Sequence, residues 1–275
     1  MFIFSNLKDA VPKCLIVAGS RTQKASGWTK EEIRNQSGRI QNGELPGERC
    51  GHTLFTINGL VTLVGGHEKQ RLDTENDNYR WKFVQRQNIY SFTEEEDKWT
   101  NLEVDGEKGD LERSCFSSVN NGSQIFICGG NKYTTEGTIT KLPINRILTI
   151  LIDQTNRKAT LKLIEINMQI PWGWSPLIAA APMVLFKNKL VIMGGNSAMT
   201  RPGLSRRNGK LIVIDLWSKI IALKDPPEAI SQKVKIFGSS AGVMGDHSII
   251  FIGGSLPPPG MHYLEMCYRE PNPNL

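Results

Sequence analysis

The sequence predicts an all-β chain assembled from one repeated four-strand unit, and three observations carry that prediction. Four apolar runs each end in a glycine doublet, at 60–66, 125–130, 190–195 and 249–254, with a weaker copy at 15–20. The doublets recur about every 60 residues, a period in the class that marks repeated supersecondary units. Around the first doublet, strand and turn signals alternate without a helical period. A strand that stops at two glycines needs unusual backbone angles at its exit, or close approach by a neighbour.

The copy at 49–102 is the most complete. Arg49-Cys50-Gly51-His52 opens it, and 52–57 is a short run rich in Phe, Thr and Ile. Asn58-Gly59 then predicts a two-residue hairpin turn, because a type I′ turn needs positive φ at both central positions. The return run 60–64 is almost wholly apolar, which predicts a strand buried on both faces. Residues 67–87 read as a long polar loop, 88–92 as a third strand, Glu94-Glu95-Glu96-Asp97 as a solvated turn, and 99–104 as a fourth strand anchored by Trp99. The unit is four consecutive antiparallel strands. Such a sheet cannot bury both faces alone, so units must stack.

The later copies repeat the plan with losses. Arg113-Ser114-Cys115-Phe116 opens the second, with Phe116 where the first has His52; Asn120-Asn121-Gly122 turns it and 147–153 is its third strand, without Tyr or Trp anchors. The third runs from 180 through the doublet to strands at 211–215 and 219–223. The fourth covers 236–268, with Tyr263 in its third strand and no evident fourth strand. At the N-terminus, 2–4 and 14–18 fit two strands of a further unit. Beyond them 21–47 is polar, and 28–33 is compatible with a short helix capped by Thr29.

Arg49-x-x-His52, the Gly65-Gly66 doublet, Tyr90 in the third strand and Trp99 after a charged turn together resemble a kelch repeat. The likeness runs through the chain from Leu45 onward and is fullest in the first copy. It implies a kelch-type β-propeller with one four-stranded blade per repeat: four recognisable blades in a continuous region 49–275, preceded at 1–48 by a degenerate blade and polar linker. Closure by the N-terminal strand, a degenerate blade, or a piece of a longer propeller are alternatives that the sequence leaves open.

Composition narrows the function. The net charge of +6 is spread along the chain, apart from a basic loop with Arg201, Arg206, Arg207 and Lys210. Nucleic-acid binding would call for a denser basic stripe interleaved with aromatics, so it is not expected. The five Cys are separated in sequence and odd in number, which argues against a disulfide framework and against zinc. Neither a secretory h-region nor a membrane-length apolar run is present, so the expected location is cytoplasmic, and the sequons at Asn35 and Asn121 are incidental.

No Gly-rich phosphate loop, nucleophile elbow or His-Glu-x-x-His motif occurs. Some kelch-like propellers are enzymes, copper-radical oxidases among them, but the Tyr, crosslinked Cys and two His of that type cannot be placed here. The expectation is therefore a protein-interaction module with no catalytic residue, metal or cofactor; the alternative is a kelch-type enzyme acting on a sugar or other small molecule in the central funnel. The partner is expected to be another protein, bound by the loops that follow the doublets. The candidate contacts are His67, Tyr79, Tyr133, Arg201, Arg206 and Arg207. Trp172-Gly173-Trp174 is read first as a plug between units, since large aromatics usually bury.

Overall fold

The computed structural model describes residues 2–4, 14–16, 42–43, 240–244, 248–252 and 266–269, together with 46–226 except 48, 73–79, 94, 95, 97, 136, 137, 169–173 and 199–204. The fold is all-β. The helix among the described residues is a 3-10 turn at Lys108–Leu111.

Four antiparallel sheets follow one another along the chain. The first orders Thr53–Ile57, Leu60–Val64, Ile89–Thr93 and Lys98–Asn101 as neighbours. The second is built alike from Ser117–Asn120, Gln124–Cys128, Arg146–Asp153 and Lys158–Glu165, and the third from Met183–Phe186, Lys189–Met193, Leu211–Asp215 and Ile220–Lys224. The fourth has Ser240–Met244, Ser248–Ile252 and Met266–Arg269 as its described strands. Phe2–Phe4 and Cys14–Ile16 pair antiparallel by themselves.

Most bounds of the sheet strands follow the sequence reading, but the run 99–104 is not one strand: Lys98–Asn101 closes the first sheet and Glu103–Asp105 joins the second. The second sheet gains an outer strand, Lys158–Glu165, that the missing aromatic anchors had concealed. In the fourth, the third strand begins at Met266, and Tyr263 lies outside the described residues, as do 28–33. The turn at Asn58-Gly59 has positive φ at both positions, 49° and 85°, as a type I′ hairpin requires.

The second strand of each sheet explains why sheets stack. Ile125 and Ile127 pack with Ile57, Val64 and Ile89 of the first sheet, while Phe126 and Cys128 pack with Leu190 and Ile192 of the third. In turn Val191 and Met193 pack with Ile249 of the fourth. Successive strand residues point to opposite faces, so an unbroken apolar run serves two neighbours at once. Polar contacts tie the same joints: Ser118 Oγ donates to Thr53 Oγ1 at 3.1 Å, and Ser117 Oγ donates to the Ala181 carbonyl at 2.8 Å.

Connectors also cross between units. Asn42–Gly43 lies parallel to Lys98–Asn101, Glu103–Asp105 lies parallel to Lys158–Glu165, and Asn167 bridges Ile220 in the same sense. The stretch before each of the first three units therefore runs along that unit's own outermost strand. It covers part of an edge that would otherwise present unpaired backbone groups.

Candidate interaction face

The segments after the doublets differ from the loops expected of them. Each folds back as a two-stranded ribbon. Ribbon one pairs His67–Leu72 with Arg80–Gln85, ribbon two pairs Asn131–Tyr133 with Ile139–Lys141, and ribbon three pairs Asn196–Ala198 with Ser205–Arg207. The third is widened by Ile178–Ala179, which pairs with its first strand.

Glycine is needed where ribbon and sheet meet. A Cβ on Gly129 would stand 2.3 Å from the Ile178 carbonyl oxygen, and one on Gly130 2.8 Å from Phe116 Cβ. The first doublet follows the same rule, with Gly65 facing Phe116 of the next unit and Gly66 facing Cys50 and His52 of its own. One glycine thus admits the following unit, and the other admits the opening of its own. Buried Arg49 completes this corner: its guanidinium donates to the Gly65 carbonyl at 3.3 Å and lies 5.3 Å from the Tyr90 ring centre.

Because Gly65 and Gly130 of adjoining units both pack on Phe116, the ribbons that follow them leave side by side. Ribbons one and two touch: Phe83 N–H donates to the Thr135 carbonyl at 3.3 Å, and the Phe83 and Tyr133 rings stack with centres 5.0 Å apart and planes 7° apart. Ribbons two and three are linked through Ile178, whose carbonyl accepts from Gly130 N–H at 2.8 Å. The ribbon strands carry Lys69, Arg71, Arg80, Lys82, Lys132, Lys141, Arg206 and Arg207 against one acidic residue, Glu68. Glu68 is paired with Arg86, and Lys132 with Glu112. Counted over the whole segments 67–85, 131–141 and 196–207, which add Arg201, Asp73, Glu75, Asp77 and Glu136 in sequence, nine basic residues stand against five acidic ones.

Of the six candidate contacts, the structure brings His67 and Tyr133 together, with ring centres 4.3 Å apart. His67 is buried, 5% exposed, so it is a wall of the ribbon root and not an open contact. Tyr133 is half-buried, and burial, followed by the nearby thiol of Cys115, pushes its phenol above the usual range. Arg206 and Arg207 lie in ribbon three, opposite Ser197 and Asn196. Tyr79 and Arg201 lie outside the described residues. Trp174 packs against the joint of the second and third sheets and is 3.4 Å from Asn208 Oδ1 through its indole nitrogen, which fits the plug reading; Trp172 is outside the described residues.

Three residues of this region escaped the sequence reading. Phe83 lies in the polar stretch 67–87, whose sequence reads as a loop. Cys50 and Cys115 were visible as cysteines in the openings of two successive units, and that repetition was the signal available. Far from the ribbons, Trp217 is 84% exposed at the turn between the last two strands of the third sheet.

No three His, Cys, Asp or Glu side chains converge as a metal would require among the described residues, and no helix there is long and apolar enough to cross a membrane. Against known proteins, the chain matches no family model and no curated protein. Among solved structures it is similar to that of YjhT, with a TM-score of 0.47 and 16% identity over 76% of this chain; it spans 60% of that chain's length.

Proposed function

We propose that this chain is a kelch-type β-propeller region acting as a non-enzymatic protein-interaction module, and that its ribbon face takes an acidic segment of a partner protein. In this reading the four sheets are successive blades and the N-terminal strand pair belongs to a degenerate one. The observation behind the functional part is the convergence of the ribbons, whose segments 67–85, 131–141 and 196–207 hold nine basic residues and five acidic ones, a net positive charge. A concentrated positive field steers association and selects partners of opposite charge. Cysteine thiols such as buried Cys128, outside any disulfide, support a reducing compartment, the cytoplasm.

The test is capture by the full chain from its native source, read by mass spectrometry, with Arg206 and Arg207 changed together to Glu. A partner with an acidic segment should be recovered by the wild-type chain, lost on charge reversal, and weakened by added salt. The control is Lys158→Glu on the second sheet's outer strand, which should leave capture unchanged. Capture that survives the Arg206/Arg207 reversal removes the ribbon face from the interaction. Turnover of a sugar or other small molecule, or a stoichiometric redox metal in the purified protein, replaces the module reading with the enzymatic one.

A further inference from the structure

At the root of ribbon one, Cys50 and His67 are held face to face by their own backbones. Cys50 N–H donates to the His67 carbonyl at 2.9 Å, and His67 N–H returns the bond to the Cys50 carbonyl at 3.0 Å. This bridge sets the Cys50 Sγ 3.1 Å from His67 Nε2. The two members differ in access. The cysteine is exposed, whereas the imidazole is buried against the Tyr133 and Phe83 rings, with centres 4.3 and 5.7 Å away. An accessible thiol on a fixed imidazole has the arrangement that generates a nucleophilic sulfur, because the thiolate is the reactive form.

A second thiol stands beside the first. Cys115 N–H donates to the Gly51 carbonyl at 2.8 Å, and its Sγ lies 2.8 Å from where a Cβ on Gly51 would sit. Residue 51 must therefore be glycine for the Cys115 sulfur to reach the Cys50-Gly51 peptide. Cys115 itself has a left-handed φ of 51°, an uncommon conformation for a non-glycine residue. Burial, and then the neighbouring Cys50, raise the Cys115 thiol above its usual range. Its sulfur is the less accessible of the two, which suits it to react second.

We propose that Cys50 is a hydroperoxide-reactive thiol with His67 as its base, and that Cys115 resolves the oxidised sulfur into a disulfide. In the first step His67 Nε2 takes the Cys50 proton and the sulfur attacks one peroxide oxygen. The S–O bond forms as the O–O bond breaks, and the departing oxygen takes the proton back and leaves as an alcohol, or as water from hydrogen peroxide. Cys50 becomes a sulfenic acid, oxidised by two electrons, and the peroxide is reduced. In the second step the Cys115 sulfur attacks the Cys50 sulfur. The S–S bond forms, the S–O bond breaks, and the hydroxide leaves as water with the Cys115 proton. Two thiols and one hydroperoxide give one disulfide, one alcohol or water, and one further water. This inference goes beyond the interaction reading and does not depend on it.

The experiment uses the full reduced chain and hydrogen peroxide. After one equivalent and rapid alkylation, peptide mass spectrometry should find Cys50 linked to Cys115, with Cys128 still reduced because its side chain is fully buried. The Cys115→Ser variant should accumulate a dimedone-reactive sulfenic acid on Cys50. Iodoacetamide should modify Cys50 of the folded wild-type chain at least about tenfold faster at pH 7 than the same cysteine in urea. His67→Gln should remove that advantage and move the pH profile of alkylation upward. The wild-type comparison with urea stands even if His67→Gln fails to fold. Alkylation no faster in the folded chain overturns the activated thiol; no Cys50–Cys115 peptide and no trapped sulfenic acid overturn the peroxide chemistry.

Discussion

At the residue scale, single atoms in the openings of the units carry separable consequences. His52 and Phe116 occupy the same position in two copies of the repeat, but His52 Nδ1 is buried with no hydrogen-bond partner. Burial, and then the Arg49 charge, push the His52 imidazole down to about 4. Between that value and its ordinary 6.5, the unfolded chain binds a proton that the folded chain refuses. The stability linked to His52 is therefore complete above pH 6.5 and is lost progressively as the pH falls toward 4. The loss should be on the order of 2–3 kcal/mol. Urea unfolding from pH 7 down to pH 4 should reveal it, and His52→Phe, which borrows the side chain of the second unit, should flatten that part of the profile. An unchanged slope in the variant would assign the acid sensitivity to other groups. The sequence named His52 as a structural residue of the repeat. Its unpaired nitrogen could not be read there, because burial of one ring atom depends on how the neighbouring unit closes.

At the element scale, strands with an apolar period were legible and strands without one were not. The runs ending at each doublet, the Asn-Gly turn and the third strands announce themselves by apolarity and turn chemistry. Ribbon strands such as His67–Leu72 are mostly polar and lie outside the four-stranded sheets, so neither alternation nor an apolar run marks them in sequence. The Cys50–His67 pair was hidden for a related reason: 17 residues separate its members, and only the register of the bridge brings them together. The doublet itself was legible, and the structure supplies its reason. Gly122 and Gly129 both have positive φ, but a Cβ on Gly122 would meet nothing within 4 Å, whereas one on Gly129 would run into the Ile178 carbonyl. Gly122→Ala should therefore cost only the left-handed backbone, about 1–2 kcal/mol. Gly129→Ala should cost clearly more, because a backbone oxygen of the next unit must also move. Denaturation midpoints of the two variants, measured side by side, test this. Equal losses would mean that the doublet serves backbone angles alone.

At the scale of the whole molecule, the chain behaves as a series in which each sheet touches the one before and the one after. Ile127 belongs to the joint of the first and second sheets, and Ile192 to the joint of the second and third. Both side chains are fully buried. Truncation of either to Ala should cost roughly 2–5 kcal/mol, as a large core deletion does. The gentler Ile127→Val and Ile192→Val changes should cost about 0.5–1.5 kcal/mol each and leave enough stability to combine. In a repeat array the energy is close to a sum of units and nearest-neighbour joints. The two positions lie in different joints and share no cluster, so the double variant should lose the sum of the single losses to within about 0.5 kcal/mol. A pair drawn from one joint behaves differently. Phe126 and Ile192 pack in the same cluster, so Phe126→Leu combined with Ile192→Val should depart from additivity by more than that margin. Chemical denaturation of the single and double variants decides the matter. Strong coupling between Ile127 and Ile192 would mean that the second sheet transmits strain between its faces, and that the stack unfolds as one body with no separable joints.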